Sequence, residues 1–99
     1  MKKTSKSISG TSFHGTTITT SYKKLCEVIG EPTYSHNSGD DKVNFEWVME
    51  TDSGEVFTIY DWKEYRPISG EETIEWHIGG FDSATTQKAL LDLLKSIMN

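Results

Sequence analysis

The chain has 99 residues, a formal net charge of −5 at pH 7, 34% hydrophobic residues and 11% aromatic residues. This length allows one domain with one hydrophobic core and leaves no room for a second. The acidic balance argues against binding of duplex nucleic acid, because contacts to phosphates need a basic surface.

The first seven residues, Met1 to Ser7, are polar and cationic and predict a flexible tail ahead of a single domain over residues 8 to 99. No apolar run follows this basic start, so we expect a cytoplasmic protein with neither a signal peptide nor a membrane segment. Ile8 to Ile18 mixes β-branched residues with Gly10 and Gly15, which predicts one or two short edge strands with a bulge.

A first helix is predicted after the hydroxyl residues Thr19 to Ser21, which are candidate N-caps. Its apolar stripe has the spacing i, i+3, i+4, i+7 and consists of Tyr22, Leu25, Cys26 and Ile29. Gly30 and Pro32 are expected to end the helix. Cys26 is the single cysteine, so an internal disulfide is excluded, and its place on the stripe favours a small core residue over a nucleophile.

A loop is predicted over Tyr34 to Asp41, whose acidic residues lack the spacing of a calcium-binding loop and favour a solvated turn. Alternating apolar residues then predict a strand over Lys42 to Thr51. A turn at Asp52 to Gly54 and a second strand over Glu55 to Trp62 complete a β-hairpin. After a connector with Pro67 and Gly70, a third strand is predicted over Thr73 to Ile78.

A second helix is predicted from Ala84 to Met98, with Asp82 and Ser83 as candidate N-caps. Its apolar face, expected to pack on the sheet, consists of Leu90, Leu91, Leu94, Ile97 and Met98. The predicted fold is therefore a two-layer α+β domain in the order β-α-β-β-β-α. It has an antiparallel sheet of three to four strands with both helices on one face.

Catalytic and metal-binding patterns are not recognisable in this sequence. The three histidines are scattered without paired spacing, and no nucleophile stands beside a base, so neither an enzyme nor a metal or cofactor site is predicted. Glu46, Glu50, Glu55 and Glu75 alternate outward on strands. A solvated surface explains these carboxylates, and mimicry of nucleic acid is the alternative.

The most specific signal is the alternation of rings and cations at the end of the hairpin and in the third strand. The candidate binding residues are Tyr60, Trp62, Lys63, Tyr65, Arg66, Trp76 and His77. Such a surface suits either a protein hot spot or a nucleotide, since rings give stacking area and cations bind anions. The competing interpretation is that Tyr60 and Trp62 only cover the second face of the sheet, which could also bury itself in a homodimer.

Three phrases of the chain, LCEVIGEPTY, IYDWKEYRP and EWHIGG, resemble small proteins encoded in tailed-phage genomes. The resemblance spans about Thr16 to Leu94 and assigns no functional residues. It implies a non-enzymatic inhibitor that binds and blocks a host defence protein, such as a CRISPR or restriction effector, in the host cytoplasm. The alternative is a sponge that sequesters a small anionic nucleotide signal.

Overall fold

The computed structural model describes residues 1–98, which form one antiparallel sheet and two helices in an α+β arrangement. In chain order the elements are β1 (Lys2–Lys3), β2 (Ser12–Ser21), α1 (Tyr22–Ile29), β3 (Tyr34–Ser35), β4 (Phe45–Glu50), β5 (Val56–Tyr60), β6 (Thr73–Gly80) and α2 (Ser83–Met98). The α+β class predicted from the sequence is confirmed.

The sheet has the strand order β1-β4-β5-β6-β2, and β3 also pairs with β4. Both two-residue strands lie on the edge of β4 that faces away from β5, β3 at one end of β4 and β1 at the other. The sheet thus has six strands, and the predicted number of three to four was too low. Two-residue strands carry no readable alternation, since their pairing depends on where the chain passes and not on their own side chains.

Both helices cover one face of the sheet, which we call the first face, and enclose the core. Its large buried side chains include Leu25, Trp47, Phe57, Trp76 and Leu93. Helix α1 begins at Ser21, whose Oγ accepts a hydrogen bond from the Lys24 amide at 3.1 Å. It ends at Gly30, whose carbonyl accepts a hydrogen bond from the Trp47 indole at 2.9 Å. The end of the helix is therefore fixed to the centre of the core.

Helix α2 packs differently from the prediction. Its buried residues are Thr85, Thr86, Ala89 and Leu93, whereas Leu91, Leu94 and Met98 are exposed. The expected apolar face was thus partly wrong. Small residues let the helix lie close to β2 and β6, since Thr86 hydrogen-bonds Thr16 at 2.8 Å and touches the position where Gly80 lacks a side chain.

Residues 4–11, which we call the crossing segment, join β1 at one edge of the sheet to β2 at the opposite edge. They pass over the second face, where Lys6 Nζ bonds Glu50 Oε2 at 2.8 Å and the Gly54 carbonyl at 3.0 Å. Val48 and Val56 on this face are buried. The start of the chain, expected to be a loose tail, is therefore placed along the sheet, and a homodimer would have to use residues other than these valines.

Candidate functional site

The candidate site lies at the end of β5, where the buried residue Asp61 stands between Tyr60 and Trp62 in the sequence. Asp61 points into the protein and accepts hydrogen bonds from the Asn44 amide at 2.9 and 3.0 Å and from the Phe45 amide at 2.8 Å. Because neighbours along an extended chain point to opposite sides, Tyr60 and Trp62 both lie on the second face. The backbone thus aims both rings outward.

Four rings meet on the second face, and we call them the ring cluster: Phe13, Tyr60, Trp62 and His77. His77 lies at its centre, with ring centroids 4.0 Å from Phe13, 5.5 Å from Tyr60 and 6.2 Å from Trp62. Tyr60 and Trp62 meet edge to face at 6.2 Å. Trp62 is 41% exposed and Phe13 is 43% exposed, so the cluster offers aromatic surface on the rigid support of three strands.

Two lysines flank Trp62 in the ring cluster. Lys42 Nζ lies 5.8 Å and Lys63 Nζ lies 5.5 Å from the centroid of its ring, within cation–π range. The two residues are held side by side because the Lys63 amide bonds the Lys42 carbonyl at 2.8 Å. The Trp62 end of the ring cluster is therefore positively charged.

A shallow depression of about 240 Å³ adjoins the ring cluster. Its lining consists of Thr11, Ser12, Val43, Glu46, Thr58, Tyr60, Trp62 and Gly79. Glu46 is the cross-strand partner of Tyr60, and burial raises the pKa of its carboxyl group. A larger depression of about 480 Å³ lies between the crossing segment and β4, but its lining is mostly hydroxyl and aliphatic and holds none of the ring cluster.

Burial also sets the protonation of the two polar rings of the cluster. It raises the pKa of Tyr60, with the negative charge of Glu46 as a further cause. It lowers the pKa of His77, partly opposed by Glu75. His77 is therefore a neutral ring at pH 7 and contributes stacking surface and not positive charge.

The structure brings four of the seven predicted binding residues together: Tyr60, Trp62, Lys63 and His77. Trp76 is fully buried and its indole donates to the Thr20 carbonyl at 2.9 Å, so placing it at the surface was wrong. Tyr65 is exposed without a ring contact. Arg66 forms a two-nitrogen ion pair with Glu72, which leaves less of its guanidinium for a ligand.

Sequence reasoning missed Phe13 and Lys42, and it assigned Glu46 to a solvated surface and not to this site. Phe13 joins the cluster because a bulge between Phe13 and Thr17, with Gly15 at φ 87°, shifts the register of β2 on β6. Lys42 is hydrogen-bonded to Lys63, and Glu46 is the cross-strand partner of Tyr60, so each lies opposite a predicted binding residue. Counting the hairpin pairs outward from the turn would have found Glu46.

Titratable side chains elsewhere form no metal centre within residues 1–98, since no three His, Cys, Asp or Glu side chains lie close enough to share an ion. Cys26 is partly buried, and burial raises the pKa of its thiol, which disfavours the reactive thiolate. No helix in that range is long and apolar enough to cross a membrane. Comparison with protein families, curated proteins and solved structures finds no match.

Proposed function

We propose that this protein is a non-enzymatic binding protein whose ring cluster docks on the surface of a partner protein. The partner class we propose is a bacterial defence protein, such as a CRISPR or restriction effector, which the chain blocks by occupancy in the host cytoplasm. The resemblance to tailed-phage proteins supports this choice of partner, and the geometry of the ring cluster supports docking.

The observation that carries the proposal is the exposure of stacked rings on a rigid sheet. Trp62 and Phe13 are 41% and 43% exposed, whereas the apolar side chains of Val48 and Val56 on the same face are buried. Exposed apolar patches are typical of interaction sites, and tryptophan and tyrosine are enriched among the residues that dominate protein–protein binding. The shallow shape of the adjoining depression fits a protein surface better than an enclosed small molecule.

The test compares Trp62→Ser with the unchanged protein as bait in lysates of bacteria that carry defence systems. We expect one dominant partner, identified by mass spectrometry, that the unchanged protein retains and Trp62→Ser loses. The matched control is Phe81→Ser, which removes a similarly exposed ring between β6 and α2 that is not part of the ring cluster. If Trp62→Ser retains the same proteins as the unchanged chain, the ring cluster is not the docking surface.

A second candidate is sequestration of a small anionic nucleotide. The lysines beside Trp62 favour it, because a base can stack on the indole while Lys42 or Lys63 meets a phosphate. The nearby Glu46 and the net charge of −5 weaken it. Titration of Trp62 fluorescence with cyclic and ADP-ribose-type nucleotides separates the two candidates, since a sponge must respond and a protein binder need not.

A further inference from the structure

We propose that the depression beside the ring cluster receives a cationic side chain, arginine or lysine, that projects from the partner protein. In this complex Glu46 provides the counter-charge, and Tyr60 and Trp62 form the walls. The inference rests on the proposed function and deepens it, because it specifies the group that the partner must present.

The depression, of about 240 Å³, has room for one long side chain. Its floor includes Thr58 and Gly79, which face each other on β5 and β6. A side chain at position 79 would fill this floor, since a Cβ there would lie 2.7 Å from Thr58 Oγ1. Tyr60, Trp62, Thr11 and Ser12 also line the depression.

The charge of Glu46 lacks compensation within residues 1–98. No cation of that part of the chain lies within ion-pair distance of its carboxylate, whereas Glu50 on the same strand face is paired with Lys6 at 2.8 Å. Burial raises the pKa of Glu46, which means that its ionised form is poorly solvated. A cation placed in the depression would relieve this cost, and this gain is available only on binding.

The rings add a second reason for a cation. The faces of tyrosine and tryptophan attract ammonium and guanidinium groups, and a carboxylate beside such rings strengthens the attraction. Lys42 and Lys63 repel a free cation, because their ammonium groups already lie over the ring of Trp62, which lines the depression with Tyr60. We therefore expect weak binding of an isolated cation. A partner whose acidic side chains pair with the two lysines would bind more tightly.

The experiment follows the indole N–H resonance of Trp62 by NMR during titration with Nα-acetyl-arginine methylamide at pH 7.5. This resonance is distinguishable, since the indoles of Trp47 and Trp76 are buried and bonded to carbonyls. We expect a saturable shift in the millimolar range that the uncharged citrulline analogue does not produce. Glu46→Gln should weaken the binding about tenfold, in line with the loss of one charge-assisted contact.

The matched control is Glu75→Gln, which removes an exposed carboxylate of β6 that does not line the depression, and we expect it to bind the arginine probe normally. Replacing both Lys42 and Lys63 with glutamine should strengthen binding of the probe. Equal shifts with the citrulline analogue, or unchanged affinity of Glu46→Gln, would overturn the inference. The proposed function would still stand in that case if the partner is lost with Trp62→Ser.

Discussion

Asn44 donates hydrogen bonds to both carboxylate oxygens of Asp61, through its backbone amide at 2.9 and 3.0 Å and its side-chain amide at 3.0 Å. The same side chain also donates to the Arg66 carbonyl at 3.1 Å and accepts from the Gly39 amide at 3.0 Å. One buried amide thus joins the loop before β4 to the connector after β5. Because Trp62 and Lys63 follow Asp61 directly, this contact positions these two residues.

Replacing Asp61 with asparagine should destabilise the protein by about 2–3 kcal/mol, because an NH₂ group would then face amide donors that need an acceptor. Urea denaturation measures the loss, with Asp41→Asn as the exposed control, for which we expect less than about 0.5 kcal/mol. The Trp62 indole resonance should also shift in the Asp61 variant. A stable variant with an unchanged Trp62 resonance would show that Asp61 does not position the ring.

Gly39 is a position where the same two loops approach closely. Its φ is 82°, and a Cβ there would lie 2.6 Å from the Arg66 Cα. Gly39→Ala should therefore cost more than about 2 kcal/mol, since backbone atoms cannot move aside as a flexible side chain can. Gly70→Ala is the control, in the connector that also holds Arg66, where the nearest atom is 3.9 Å away and φ is not positive. Equal thermal stability of the two variants would contradict the close approach.

Periodicity was sufficient to predict the centre of this fold. The alternation of Phe45, Trp47 and Met49, and of Phe57 with Ile59, predicted the hairpin that the structure contains. The ends of these strands were less accurate, since β4 begins at Phe45 and not at Lys42. The amides of Asn44 and Phe45 donate hydrogen bonds to the side chain of Asp61. A hydrogen bond to a side chain far along the sequence leaves no local pattern, so the start of the strand could not be predicted from periodicity.

The candidate site was predictable where residues are close in sequence, and less so where the sheet brings them together. Tyr60, Trp62 and Lys63 are near neighbours in the chain, whereas Phe13 reaches His77 only through the pairing of β2 with β6. The prediction for Trp76 was wrong because alternating aromatic residues have the same sequence pattern whether their face of the strand is buried or exposed. The packing of the helices decides which face of the sheet is buried, and the local sequence of a strand does not show it.

Glu46 should reduce the stability of the free protein at neutral pH. Burial raises the pKa of its carboxyl group in the folded state, so ionisation favours the unfolded chain at pH values above the folded pKa. Glu46→Gln should therefore increase the free energy of unfolding at pH 7, by no more than about 1 kcal/mol because the group is partly solvated. The difference should vanish below about pH 4, where both states are protonated.

Urea denaturation of Glu46→Gln and Glu75→Gln at pH 7 and pH 4 separates these expectations. Only the first variant should gain stability, and only at the higher pH. A loss of stability in Glu46→Gln at pH 7 would mean that the carboxylate is already compensated in the free protein. Weaker cation binding in a more stable variant would identify Glu46 as a binding residue and not as a structural one.

His77 should titrate below the ordinary range of histidine, because burial among the rings lowers its pKa. Protonation then favours the unfolded chain, so stability falls as the pH drops from about 6.5 toward the folded pKa. Phe13→Ala should raise the pKa of His77 by admitting water, and Glu75→Gln should lower it further by removing a nearby negative charge. NMR titration of the imidazole protons measures both shifts. Shifts in the opposite directions would contradict the stacked arrangement.

Trp62 should account for nearly all of the quencher-accessible tryptophan fluorescence. It is 41% exposed, whereas Trp47 and Trp76 are fully buried. Trp62→Phe should shift the emission maximum to shorter wavelength and lower the acrylamide quenching constant severalfold, since the remaining indoles lie in an apolar core. Phe81→Ser, which alters an exposed ring elsewhere, should leave both measurements unchanged. Strong quenching that persists in Trp62→Phe would place another indole at the surface and remove the physical basis for docking through Trp62.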